Sequence, residues 1–244
     1  MTRVVESALE AASPLASDSL MLIGAWCRDI LHRALGHDFD TTATRDLDLA
    51  LGLSSWDAYR ALNAAFRKIG HTGLRYRIAD LDVDLLPSER LKTHKASWTR
   101  PPKRAVQRLV LRGDLRGLAP LQLSTGRQIR IPTIPGFAAA KLGAWLDRSV
   151  WGQTKDAGDI ALILYWYSQS PSVQDRLYDT TTGNGILIRE EADVPRAAAH
   201  LLGADVAGLI GPQRLAELPE CWLGNSTAQV GPPSSPDARS SSAH

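Results

Sequence analysis

Two aspartates one residue apart, Asp46 and Asp48, stand in the run Arg45-Asp46-Leu47-Asp48-Leu49-Ala50-Leu51. Acid alternating with leucine is the pattern of a β-strand with two unlike faces, because side chains two apart on a strand point the same way. The spacing therefore predicts a strand that buries Leu47, Leu49 and Leu51 and projects both carboxylates side by side. Neighbouring carboxylates repel, and burying them unpaired is costly. The usual relief is a divalent cation, and magnesium commonly takes one or two carboxylates together with substrate phosphates. The run Leu81-Asp82-Val83-Asp84-Leu85-Leu86 repeats the pattern, so either Asp82 or Asp84 completes such a site if its strand lies beside the first. A solvated strand face carrying acids by chance explains either run alone about as well, but two such runs in one chain weigh against it. A calcium loop fits less well, since the acids lie in apolar strands without the glycine such loops need.

Upstream, Leu22-Ile23-Gly24-Ala25-Trp26-Cys27-Arg28-Asp29 reads as a strand that stops at glycine and opens into a helix. Such a turn presents free backbone N–H groups, an anion site suited to a triphosphate. Arg28, one turn in, offers a charged fork. Alone, the segment is equally an ordinary strand-to-helix turn; the acid pair that follows gives it weight.

These residues need elements to hold them. The sequence predicts a helix over Arg3–Ala12, a buried strand over Leu20–Ile23, and a helix over Ala25–Leu35 ended by Gly36. A polar loop over His37–Thr44 precedes the Asp46–Leu51 strand. Ser54 and Ser55 then offer an N-cap to a helix over Trp56–Ile69. Strands follow over Leu74–Ile78 and Leu81–Leu86, and Leu121–Leu123 with Gln128–Ile131 flank a hairpin turn. From Pro135 to about Leu218 the pattern is helical. The fold class expected is α+β, a mixed sheet flanked by helices over 1–132 and a helical lobe over 133–224. A Ser-, Pro- and Gly-rich tail over 225–244 is expected to be disordered.

Composition narrows the partners. The chain has 244 residues, 44% of them apolar, and a net charge of only +2. No strongly basic surface follows from that balance, so a nucleic-acid partner must rest on a local patch. The one candidate is the stretch Lys92–Arg116, which contains Trp98 and whose plain alternative is a solvated loop. Cys27 and Cys221 match no zinc spacing and no disulfide framework, which fits a reducing cytoplasm. No basic segment followed by an apolar run opens the chain, so no signal peptide is expected. The longest apolar run, Ile160–Tyr167, is too short to span a bilayer, so no membrane partner is expected either.

Taken together, Gly24–Asp29 followed by Asp46-Leu47-Asp48 resembles the polymerase-beta-like nucleotidyltransferase superfamily. It is similar to the opening of CCA-adding enzymes and of small aminoglycoside and lincosamide nucleotidyltransferases. Further on, Ala139-Ala140-Lys141-Leu142-Gly143-Ala144-Trp145-Leu146-Asp147-Arg148 and Lys155-Asp156-Ala157-Gly158-Asp159-Ile160 resemble the AbiEii and MenT toxin family. The resemblance covers about two-thirds of the chain, from Leu20 to Leu164, and rests on the order of short motifs. It implies an N-terminal nucleotidyltransferase lobe and a C-terminal helical lobe. It implies Asp46, Asp48 and Asp84 as ligands of two magnesium ions, with Asp82 the fallback for the third. It also implies catalytic roles for Lys141 and Asp159, contact with the nucleotide by Gly24, Ala25, Arg28 and Arg148, and a minor place for Asp156. The activity implied is transfer of NMP from an NTP to an acceptor hydroxyl, most directly the 3′ end of tRNA, by a toxin that has a cognate antitoxin. A small-molecule acceptor, or a binding protein without turnover, is the alternative. One departure stands out: Ala25 replaces the Gly or Ser that usually follows the family's glycine, so a hydroxyl contact to phosphate is absent. Without the resemblance, Lys141 is equally a lysine snorkelling from an apolar helix beside Trp145 and Arg148. Asp156 and Asp159 are then simply acids favoured by a helix N-terminus.

Overall fold

A computed structural model describes residues 1–11, 20–44, 46–52, 56–71, 73–87, 117–149 and 155–216. The tail over 225–244, the basic stretch 92–116 and Ser54 and Ser55 lie outside the described residues. The elements run α1 (Thr2–Ala11), β1 (Leu20–Ile23), α2 (Gly24–Ala34), β2 (Asp46–Leu51), α3 (Trp56–Ala65), β3 (Arg67–Lys68), β4 (Arg75–Ile78), β5 (Leu81–Pro87), β6 (Leu118–Gln122) and β7 (Gln128–Pro132). Helices alone follow: α4 (Ile134–Ser149), α5 (Lys155–Gln169), α6 (Pro171–Asp179), α7 (Thr181–Arg189), α8 (Val194–Ile210) and α9 (Pro212–Leu215). The class is α+β, a mixed sheet with helices followed by a run of helices. Among the described residues no helix is long and apolar enough to cross a membrane.

Among the described residues the sheet has seven strands, in the order β3-β4-β5-β2-β1-β7-β6. β2 lies at its centre, antiparallel to β1 and parallel to β5, while β1 also pairs in parallel with β7. The two faces of the central strands differ as the alternation requires. Leu20, Leu22, Leu47, Leu49 and Leu51 are almost wholly buried in the larger core, with Val4, Val5, Leu62 and Tyr76. On the other face Met21, Ile23, Ala50 and Leu86 meet Ala140 and Ala144 of α4. The small alanine side chains let α4 lie close against that face, which is also the face of Asp46 and Asp48.

The helix expected over Trp56–Ile69 is shorter than its apolar spacing suggested. Its last helical bond runs from Phe66 N–H to the Leu62 carbonyl. Arg67 and Lys68 then pair with Arg77 and Tyr76 as an edge strand, and Ile69 N–H donates to the Arg75 carbonyl at 2.9 Å. A sheet edge seeking a partner outcompetes one more helical turn. β4 and β5 form a hairpin whose two turn residues, Ala79 and Asp80, both have positive φ, 47° and 66°. Positive φ at both central positions is the geometry that matches strand twist in a two-residue turn. It fixes the pairs Arg77↔Asp82 and Arg75↔Asp84.

Candidate active site

Gly24 is where strand becomes helix. Its φ of +71° is easy for glycine and strained for other residues. Space gives a second reason: a Cβ there would stand 2.0 Å from Asp48 Oδ2. The glycine thus lets the start of α2 lie directly against the Asp48 carboxylate, across the register pair Ile23↔Asp48. The N-cap residue, Ile23, has no side-chain acceptor, so the first turn of α2 carries no side-chain cap. Its N–H groups and the positive end of the helix dipole are suited to an anion.

A cavity of about 180 Å³ opens at this point. Gly24 and Ala25 line it from α2, Asp46 and Asp48 from β2, Asp84 from β5, and Lys141, Asp156 and Asp159 from the helices. Asp46 and Asp48 share one face, and the parallel register sets Asp48 beside Asp84. Asp82, the alternative third acid, is paired across the hairpin with Arg77 at 2.8 Å and does not line the cavity.

The cation nearest these acids was not singled out in the sequence. Arg75 Nε donates to Asp84 Oδ1 at 2.8 Å, and Arg75 Nη2 donates to Asp84 Oδ2 at 3.0 Å and to Asp46 Oδ2 at 2.8 Å. The remaining oxygen of Asp46, Oδ1, accepts from the Thr44 hydroxyl at 2.6 Å. Bonding to Asp84, outweighing partial desolvation, holds the Arg75 guanidinium above its already high ordinary pKa. The signal for Arg75 lay in the hairpin: once Ala79-Asp80 is placed at the turn, position 75 must face position 84.

The helical segment supplies a second charged group. Lys141 Nζ lies 2.5 Å from Asp159 Oδ2 and 3.7 Å from Asp156 Oδ1, and 5.3 Å from the centre of the Phe137 ring. All three charged residues are buried. The ring beneath the ammonium is Phe137. Arg28 is also buried, and protein groups hold it: Asp159 at 3.2 Å, Asp29 at 2.8 Å, the Thr41 hydroxyl at 3.3 Å and the Thr42 carbonyl at 2.5 Å. Arg28, expected from the sequence to reach a phosphate, lines the cavity and ties together α2, the 37–44 loop and α5. A further brace, unforeseen in the sequence, joins the same helices: Trp166 Nε1–H donates to His32 Nδ1 at 2.9 Å, and His32 Nε2 bonds the Phe39 carbonyl at 3.0 Å. Arg148 falls in the last turn of α4, and its side chain lies outside the described residues. Burial pushes the Cys27 thiol up, against the pull of Lys141 and with the help of Asp159.

The donor set fits a hard divalent cation, since Asp46, Asp48 and Asp84 offer oxygen ligands only, on one wall of one cavity. Among the described residues no group of three His, Cys, Asp or Glu side chains is drawn together as a ready metal site. Arg75 fills the space between two of these acids instead.

No family model matches the chain, and no curated protein matches it. Two solved structures are similar. One is the solution structure of the antibiotic-resistance factor ANT(2'')-Ia, with a TM-score of 0.35 and 15% identity, covering 89% of this chain and 94% of that one. The other is the crystal structure of ANT(2")-Ia in complex with adenylyl-2"-tobramycin, with a TM-score of 0.35 and 18% identity, covering 90% of this chain and 99% of that one. A TM-score of 0.35 is too low for either likeness to support a conclusion about this chain.

Proposed function

We propose that the chain is a metal-dependent nucleotidyltransferase, with 1–132 as its catalytic lobe and 133–224 as its helical lobe. One observation carries the reading: the uncapped bend at Gly24, the acids Asp46, Asp48 and Asp84, and the buried Lys141–Asp159 pair all line a single cavity. Bends, acid pairs and buried lysines are each common alone. Their convergence from segments more than a hundred residues apart is what phosphate chemistry needs.

In this reading Asp46, Asp48 and Asp84 hold magnesium, two ions on the resemblance. Bound there, the metal neutralises phosphate charge and makes an acceptor hydroxyl more acidic. The chain's own groups do the rest. The N–H groups at Gly24 and Ala25 grip the triphosphate at the positive end of α2. Lys141, fixed by Asp159, sets a positive charge on the opposite wall without needing to reorganise. Asp84 is placed to help hold the metal or to accept the hydroxyl proton. The hydroxyl oxygen bonds to the α-phosphorus, the bond to the bridging oxygen breaks, and pyrophosphate leaves.

For the acceptor, charge favours a small cationic molecule of the aminoglycoside kind over the 3′ end of tRNA. A second cavity of about 650 Å³, lined by Asp29, Asp38 and Asp40 against Arg33, touches the first at the Arg28–Asp29 pair. Acidic walls repel an RNA backbone and attract amines. The tRNA reading, with its toxin and antitoxin, leans on the resemblance and on the basic stretch 92–116.

The test incubates the protein with magnesium, each labelled NTP, and either total RNA or a panel of aminoglycosides. Label on a drug is expected, label in a tRNA band would restore the toxin reading, and no label on any acceptor would overturn the proposal. Asp46→Asn is expected to keep the fold and lose at least about a hundredfold in transfer, since it removes a metal ligand and relieves a repulsive pair. Transfer at the wild-type rate would refute its role.

A further inference from the structure

Arg75 lies where a metal would have to bind. Its guanidinium contacts both oxygens of Asp84 and one of Asp46, and Thr44 takes the other oxygen of Asp46. Every carboxylate oxygen of these two acids therefore already accepts from a protein donor. We propose that Arg75 is a resident counter-ion that competes with the divalent cation for Asp46 and Asp84, so that metal binds well only when a nucleotide arrives to draw Arg75 away. The inference rests on the nucleotidyltransferase reading and adds a regulatory contact to it.

Three features support competition over simple bracing. First, the bridge itself: Nη2 reaches Asp46 on a strand two places from its own, beyond its hairpin partner Asp84. A residue serving only to orient Asp84 has no need of that contact. Second, Arg75 stands nearer the surface than the other cations of the cavity. Its side chain is 35% exposed, whereas Arg28 at 6% and Lys141 at 11% are locked in the interior. It can leave Asp46 without unpacking the core. Third, the exchange leaves neither the carboxylates nor the guanidinium without a partner. The metal takes over the carboxylates while the guanidinium gains phosphate oxygens, which match its fork as well as a carboxylate does.

The experiment measures Mn²⁺ affinity by electron paramagnetic resonance. It uses the full chain as wild type and as Arg75→Gln, each with and without a non-hydrolysable NTP analogue. Without nucleotide, Arg75→Gln is expected to bind Mn²⁺ about tenfold more tightly than wild type, the order of one charged hydrogen bond that no longer has to break. The analogue should tighten Mn²⁺ binding strongly in wild type and far less in the variant. If Arg75 merely orients the ligands, the variant should instead bind about 10–100-fold more weakly, and that result overturns the proposal. An unchanged affinity overturns it too, provided Asp46→Asn weakens binding, which keeps the metal reading itself intact. No Mn²⁺ binding by any protein at millimolar metal, with or without nucleotide, overturns both readings. Circular dichroism checks the fold. If Arg75→Gln does not fold, Arg75→Lys serves, since lysine cannot bridge two carboxylates with a planar fork, and it is expected to tighten binding in the same direction.

Discussion

Replacing Gly24 with alanine separates backbone strain from steric damage at the proposed site. Gly24 has φ +71° and Gly126, in the β6–β7 turn, has φ +85°. Alanine in this left-handed region costs about 1–2 kcal/mol. Gly126→Ala should therefore lower stability by that amount and Gly24→Ala by more, read from urea denaturation midpoints. They differ in what the new methyl meets. At Gly126 nothing lies within 4 Å, while at Gly24 the methyl would stand 2.0 Å from Asp48 Oδ2, 2.8 Å from its Cγ and 2.9 Å from its Cβ. Restoring an ordinary 3.4 Å contact from 2.0 Å needs the carboxylate or the helix start to retreat by about 1.4 Å. A displacement of about 1 Å at a reacting centre can cost on the order of a hundredfold in rate. Gly24→Ala should then lose about that factor in nucleotide transfer, while Gly126→Ala stays near wild type. The assay is pyrophosphate release with magnesium and the best NTP–acceptor pair, backed by Mn²⁺ affinity. If Gly24→Ala keeps more than half the wild-type rate and metal affinity, Asp48 and the helix start do not form one site.

Further outcomes concern the buried charges and the helical segment. Lys141→Met removes the cation shared by buried Asp159 and Asp156 and leaves Arg28 to hold Asp159, so it should destabilise the protein by less than the about 3–5 kcal/mol of a wholly unpaired buried charge. The double variant Lys141→Met/Asp159→Asn should recover part of that loss in urea melts, and a purely additive result would show that the pair is not coupled. Arg176 and Tyr167 both hydrogen-bond Asp205. Partial burial pushes the Asp205 carboxyl up, but these bonds and the Arg176 charge outweigh it and hold it below its ordinary value of 3.8. A depressed carboxyl stabilises the fold above its unfolded value, and that contribution fades as pH falls through the lower folded value. The stability gap between wild type and Asp205→Asn should thus be constant above about pH 5 and shrink below the ordinary carboxyl range. A gap that widens on acidification would contradict the assignment. Cys27 is wholly buried with its thiol pushed up, so in a Cys221→Ser background it should react with a disulfide reagent only as fast as the protein unfolds.

The strand carrying Asp46 and Asp48 was legible because period two is a strong signal when acids and leucines alternate without a break. The same signal identified the Asp82/Asp84 strand and left both acids open; the resemblance favours Asp84, and Asp84 is the one that lines the cavity. Arg75 escaped notice for a local reason. The β4–β5 turn uses Ala79, a residue that pays a steric cost at positive φ and gives no turn signal in the sequence. With Asn-Gly at that position the pairing of 75 with 84 would have been countable from the turn outward. The end of α3 is hidden in the sequence because Leu62, Phe66 and Ile69 keep helical spacing, while the edge pairing that claims Arg67 and Lys68 joins it to a later strand. Lys141 and Asp159 were found by likeness to a motif. Nothing in their own helix pattern says that α4 packs on the acidic face; that follows from Ala140 and Ala144 fitting Met21, Ile23 and Leu86.

The alternation in β2 makes chemistry and folding share a reading frame. Adding or deleting one residue inside Asp46–Leu51 would swap parity, driving carboxylates into the leucine layer and leucines into the cleft. Length changes in the preceding 37–44 loop carry no such penalty of phase. The loop can change length wherever Phe39, Thr41 and Thr42 keep their bonds to His32 and Arg28, while the strand behind it admits only changes that preserve odd and even.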